Sequence, residues 1–223
     1  MAPTHPPPDP GEVFDQLLAR SLMIQNSQPS PTKPSSLQKL RLFDPHQILL
    51  RHLPGMRRSL AVIEPALREA IRALVSAQAP WPLFLYGRTG TGKTCAALCL
   101  LDHSGGEYWT AARLTDDLNS ALFGRLVCRG ESGSSNVWPE QIWDRIKRTP
   151  LMVLDELGQR DKVSGAHYDV VKRVLDERQD RPLLVLSNLD IKGIDTLYDE
   201  RVSSRLGAGT IVQLRGRDRR VEP

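Results

Sequence analysis

The sequence predicts an α/β protein in which a parallel sheet is covered by helices on both faces, giving three layers. Three observations point there. Short apolar runs, WPLFLYG at 81–87, LMVLDE at 151–156 and PLLVLSN at 182–188, alternate with stretches of helical periodicity. Strands buried on both faces read as such runs, and the helices between them supply the crossovers. A length of 223 residues suits one domain of this kind with a short appendage, since domains commonly hold ~100–200 residues. With 40% apolar and 25% charged residues, the chain has the balance of a soluble protein with a core of its own.

Eight of the 17 prolines fall in the first 34 residues, and Asn26–Ser36 (NSQPSPTKPSS) is almost free of large apolar side chains. Such a stretch cannot bury enough surface to offset chain entropy and reads as a linker. Before it, Asp9 suits an N-cap, Pro10 the first helical position and Glu12 the third. Val13, Phe14, Leu17, Leu18 and Leu22 then continue one face of a short amphipathic helix over 10–24. Residues 1–36 thus form a Pro-rich extension whose helix either docks on another protein or folds back onto its own core. From Leu37 the chain becomes globular, and 37–216 is read as one domain with a basic tail at 217–223. Residues 57–78 read as helix with Pro65 as a kink or restart point. There follow a strand at 81–87, a helix at 92–103, a strand at 106–111 (GEYWTA) and a helix over ~113–127. A Gly/Ser-rich loop at 130–136 leads to a helix at 138–148, the strand at 151–156 and a helix at 166–179. The strand at 182–188 and a last one near 210–216 complete the sheet.

Several function classes are excluded or left unsupported. No apolar run approaches the ~18–20 residues needed to cross a bilayer, and the N-terminus lacks the pattern of a secretory signal. Cys95, Cys99 and Cys128 are too few, and wrongly spaced, for a disulfide scaffold or a zinc knuckle. The five histidines show no paired ligand spacing. A cytoplasmic address is expected. A net charge of +4 permits a nucleic-acid partner without requiring one.

The strongest chemical signal is Gly87-Arg88-Thr89-Gly90-Thr91-Gly92-Lys93-Thr94, a full GxxxxGK[ST] between a predicted strand and a predicted helix. Glycines let the backbone curl so that successive N–H groups converge on phosphate oxygens, while the following helix presents its positive end. In such a loop the lysine, here Lys93, reaches the β- and γ-phosphates and the hydroxyl of Thr94 ligates Mg²⁺. The second signal is Leu151-Met152-Val153-Leu154-Asp155-Glu156, a buried strand that delivers an acid at its end. Asp155 suits the Walker B role of holding Mg²⁺ directly or through water, and Glu156 can activate a water against the γ-phosphate. Both acids together suit hydrolysis of ATP better than transfer to a second substrate. The strand at 106–111 lies in sequence between the two Walker strands, which points to P-loop ATPases with an added central strand. At the tip of the strand at 182–188 stands Asn188, expected between the two Walker strands and able to contact γ-phosphate or the attacking water, or else a plain turn residue.

These stretches together resemble the DnaC/IstB branch of the AAA+ ATPases, the replicative helicase loaders and transposition helper ATPases. The matching segments are LFLYGRTGTGKT, YWTAARL, LMVLDELG, LLVLSNL and LYDERVSSRLGAGTIVQLRGRDRR, which span about 83–220. SNL followed ~16 residues later by SSRL is the more specific part of the set. The resemblance implies an AAA+ core that binds and hydrolyses ATP with Mg²⁺ in DNA replication, with Asn188 at the sensor-1 position. It also implies that Arg205 is an arginine finger, acting on ATP held by a neighbouring subunit of an ATP-dependent homo-oligomer, with Arg201 as rival. Arg220 aligns with a terminal sensor-2-like arginine of the nucleotide site. The implied client is a replicative helicase or, in an IstB-like reading, a transposase; an ATP-gated adaptor with little hydrolysis is the remaining alternative.

The short N-terminal extension departs from the family, whose loaders carry a folded or zinc-bearing region there. A core ending near 216 would also leave no room for a full C-terminal helical lid. Single-stranded DNA is the expected nucleic-acid partner. Arg113, Arg125, Arg129, Lys147 and Arg148 are candidate contacts or a solvated surface, and Trp109, Trp138 and Trp143 are candidate stacking platforms or core residues.

Overall fold

The computed structural model describes residues 64–130, 133–159 and 162–215. The helix expected over 10–24, the linker, the start of the helix expected from 57, and Arg220 lie outside the described residues. In chain order the elements are α1 (Pro65–Val75), β1 (Leu83–Tyr86), α2 (Lys93–Ser104), β2 (Glu107–Thr110) and α3 (Ala111–Leu122). Then come β3 (Val127–Gly130), β4 (Gly133–Asn136), α4 (Pro139–Arg148), β5 (Met152–Leu157) and α5 (Gly165–Glu177). The chain continues through β6 (Leu183–Ser187), α6 (Ile191–Leu197), α7 (Glu200–Gly207) and β7 (Thr210–Gln213).

Five strands form one parallel sheet in the order β2-β5-β6-β1-β7. Side chains alternate across it with period two. Leu83 and Leu85 of β1, Val153 of β5 and Leu184 and Leu186 of β6 pack against α1 and α2. Phe84, Met152, Leu154, Leu183 and Val185 face the opposite layer, made by α3, α4, α5 and α7. The expected three-layer α/β architecture is therefore present.

The structure corrects several details. The strand expected at 106–111 is an edge strand beside β5, and the strand inserted between the two Walker strands is β6. Its edge place suits its half-buried Glu107, whose carboxylate pairs with Arg145 of α4 at 2.6 Å. The stretch expected as a loop at 130–136 belongs to an antiparallel hairpin, with Val127 opposite Asn136 and Gly130 opposite Gly133. Glycine and serine have weak strand propensity, so pairing with β3 rather than local preference makes β4 extended. The helix expected over ~113–127 begins earlier, because the Thr110 hydroxyl accepts from the N–H of Arg113 at 3.2 Å and caps it. Between β6 and β7 the chain forms two short helices, each capped by an aspartate: Asp190 accepts from Gly193 at 2.8 Å and Asp199 from Val202 at 3.0 Å.

Arg178, just after α5, is only 1% exposed. Its guanidinium donates to the carbonyls of Ile146 at 3.2 Å, Thr149 at 2.8 Å and Pro150 at 3.3 Å, and also to that of Pro182. It thereby satisfies carbonyls left open at the C-terminus of α4 and ties them to the start of β6. Burial pulls its pKa down to about 10, which leaves it charged at neutral pH.

Candidate functional site

The site assembles where β1, β5 and β6 end, the edge of an open parallel sheet at which ligands of α/β proteins are bound. After Tyr86 the chain turns through Gly87–Gly92 and enters α2 at Lys93. Gly87 lies so close to the neighbouring strand end that a Cβ there would stand 2.3 Å from the Leu214 carbonyl oxygen. Gly92 has φ 94°, a left-handed conformation that glycine adopts without strain. Thr91 turns its hydroxyl inward onto the Arg88 carbonyl at 2.9 Å, and Arg88 and Thr89 are exposed.

Lys93 is buried and closes the loop from inside. Its ammonium donates to the Gly87 carbonyl at 2.7 Å, the Arg88 carbonyl at 2.9 Å and Oδ1 of Asn188 at 2.8 Å. The last contact joins the loop to the tip of β6, 95 positions away. Thr94 donates from Oγ1 to Oδ2 of Asp155 at 2.8 Å. Asp155 is 4% exposed, and its carboxylate also accepts from the Tyr108 hydroxyl at 2.6 Å and the N–H of Glu156 at 2.6 Å.

A β-bulge explains how two successive residues of one strand both serve this edge. The pairing of β5 with β6 runs from Leu154↔Val185 to Leu157↔Ser187, one extra residue on β5. Within the bulge Glu156 has φ 62° and is exposed while Asp155 is buried. Partial burial, and then the Asp155 charge, push the Glu156 carboxyl above the ordinary carboxylate range, partly offset by a hydrogen bond from Gln159. Burial and the same charge push the Tyr108 phenol well above its usual value, so it stays protonated and donates.

The oxygen donors Thr94 and Asp155 fit Mg²⁺, a hard cation that takes few protein ligands and keeps several waters. Glycines at the loop, a helix N-terminus and a buried lysine fit a polyphosphate. Among the described residues no group of three or more His, Cys, Asp or Glu is placed to hold a metal.

Other sequence candidates are scattered. Arg205 on α7 donates to Asp176 of α5 at 2.6 Å and to the Arg201 carbonyl at 3.0 Å, rather than to the phosphate loop of its own chain. Trp109 and Trp143 are buried and are removed as stacking platforms; Arg173 covers the Trp143 ring at 4.1 Å. Trp138 is 52% exposed, because it precedes α4 rather than lying on its apolar face. Arg113 pairs with Asp117, Lys147 with Glu177 and Arg148 with Asp144. Sequence reasoning missed Tyr108, whose contact with Asp155 spans 47 positions, and missed Phe123, which is 73% exposed and stacked with Arg125 at 5.6 Å.

Sheet order and the converging strand ends define an AAA+-type P-loop NTPase core. Within that class the chain resembles the DnaC/IstB-type ATPases. It is 32% identical over 85 residues to the replicative helicase loader DnaC of Buchnera aphidicola subsp. Acyrthosiphon pisum, a match covering 37% of this chain and 34% of that one. The chain spans between a third and about half of the length of the curated relatives it matches. A crystal structure of DnaI superposes with a TM-score of 0.55 at 20% identity, covering 79% of this chain and 94% of that one. A replication initiator DnaA bound to AMPPCP and single-stranded DNA superposes with a TM-score of 0.56 at 16% identity, covering 74% and 51%. No family model matches the chain. Among the described residues no helix is long and apolar enough to cross a membrane.

Proposed function

We propose that this protein binds and hydrolyses ATP with Mg²⁺ and acts in DNA replication as a loader of a replicative helicase. The observation that carries the ATPase part is the convergence of Lys93, Thr94, Asp155, Glu156 and Asn188 from separate elements. The loop N–H groups and Lys93 bind the β- and γ-phosphates, Lys93 leaving the loop carbonyls as it does so. Thr94 and Asp155 would hold Mg²⁺, which when bound neutralises phosphate charge. Glu156 accepts the proton of the attacking water; its raised pKa brings it nearer the ideal for a base at neutral pH. Asn188, already bonded to Lys93, orients toward the γ-phosphate end of the site.

Arg205 completes a neighbour's site in an ATP-dependent oligomer, and within its own subunit Asp176 parks it. For the partner DNA, single-stranded, the exposed Phe123, stacked with Arg125, and the exposed Trp138 offer stacking surfaces in place of the buried tryptophans. Similarity to DnaC replicative helicase loaders and to the DNA-bound replication initiator DnaA supports replication as the setting. Residues 1–36 are the proposed helicase-docking segment.

Single-turnover hydrolysis with and without single-stranded DNA tests this reading. Glu156→Gln is expected to bind ATP as the parent does and to hydrolyse it ~10²–10⁴-fold more slowly. A Glu156→Gln protein that turns over at the parent rate removes Glu156 from the chemistry. Failure of a pull-down through residues 1–36 to retain the replicative helicase would remove the loader assignment.

A further inference from the structure

We infer that Tyr108 is a positioning residue that fixes the metal-binding carboxylate of Asp155. The inference rests on the ATP·Mg²⁺ reading of the site and assigns a part of its metal affinity to the edge strand β2.

Asp155 pairs with Thr110 of β2 on one side, but on the other side the ladder to β6 is interrupted between Leu154 and Leu157. Beside that bulge the direction of the carboxylate is left to its side-chain contacts. Three hydrogen bonds do: Thr94 Oγ1 and Tyr108 hydroxyl on Oδ2, and the Glu156 N–H on Oδ1. A carboxylate offers about four lone-pair sites, so roughly one remains for another donor. These three bonds are not equivalent once the site is filled. The Thr94 oxygen is itself a proposed metal ligand, and the Glu156 N–H belongs to the bulge. Tyr108 is then the side chain that holds Oδ2 from outside the ligand set.

Its placement suits that task. Tyr108 is 8% exposed and packs in the layer with Leu98, Leu101 and Val153, although β2 is an edge strand from which a phenol could reach solvent. Pairing of Tyr108 with Val153 puts the ring on the same face of the sheet as Asp155, two residues further along β5. Its hydroxyl takes a 2.6 Å bond to a charged acceptor instead of water, a short and comparatively strong contact. Without it, Asp155 is free to turn about its terminal torsion, where wells are broad. Outer hydrogen bonds of this kind commonly cost 10–100-fold in metal affinity when removed. The phosphate grip of Lys93 and the loop does not involve Tyr108.

Tyr108→Phe in the full chain separates these contributions, because it keeps the ring and removes only the hydroxyl. Binding of a fluorescent ATP analogue is measured in EDTA and over a Mg²⁺ series, at a temperature where circular dichroism shows the variant folded. The expected result is unchanged analogue affinity in EDTA and a Mg²⁺ requirement raised about tenfold. Tyr108→Met, which fills the space without a hydroxyl, must show the same shift. A Mg²⁺ requirement within about twofold of the parent overturns the inference, as does an equal loss of affinity with and without Mg²⁺, which would mark a packing role. If the parent protein itself fails to bind the analogue, the ATP reading of the site falls first.

Discussion

Lys93 shows how a motif and its surroundings divide the information in a sequence. Its spacing from Gly87 was legible because the loop is local, and the fold places it at that loop. Its bond to Asn188 was not, because a partner 95 positions away is fixed by strand order, which no local pattern records. Tyr108 is the sharper case. A tyrosine in a strand reads as packing, and only the adjacency of β2 to β5 puts its hydroxyl on Asp155. The acids at the end of β5 were readable as a pair, while the bulge that exposes Glu156 and buries Asp155 was not. That bulge has a measurable consequence. With its folded pKa raised above the unfolded value, Glu156 favours folding below the ordinary carboxylate pKa and loses that contribution as pH rises through the folded value. Glu156→Gln is therefore expected to melt slightly higher than the parent at pH 7, with the gap closing toward pH 4. A variant less stable than the parent at pH 7 contradicts the burial-driven shift.

At the level of elements, strands with apolar runs were read well because burial on both faces leaves a strong compositional mark. The hairpin of β3 and β4 and the helices α6 and α7 leave a weaker one. Residues of β4, Gly133–Asn136, carry no apolar alternation, and α6 and α7 span only 7 and 8 residues. Their aspartate caps were the available signal. Arg178 holds two elements in relation to each other, taking carbonyls from the end of α4 and the start of β6. Arg178→Ala takes the guanidinium donor from the Ile146, Thr149 and Pro150 carbonyls, leaves the Pro182 carbonyl only its bond from the Met152 N–H, and removes a large buried side chain. Chemical denaturation is expected to show a loss of about 3–5 kcal/mol, within the range for breaking a buried network. A loss below about 1 kcal/mol would mean that water or a neighbouring donor takes over the carbonyls.

For the whole molecule, the proposed role of Arg205 would make one subunit chemically incomplete. Lys93, Asp155 and Glu156 gather at the ends of β1 and β5, but Arg205 lies on α7 bonded to Asp176. The proposed oligomer brings the two together between chains, so hydrolysis becomes a report of assembly. Its most direct test mixes two inactive proteins. In the proposed scheme Arg205→Ala keeps an intact loop and Glu156 but offers no finger, while Glu156→Gln offers the finger but has no base. Each alone is expected to hydrolyse ATP at least ~10²-fold more slowly than the parent. The mixture is expected to regain a substantial part of the parent rate, rising with total protein concentration. Normal turnover by Arg205→Ala alone, or a mixture no faster than its components, would contradict a shared active site.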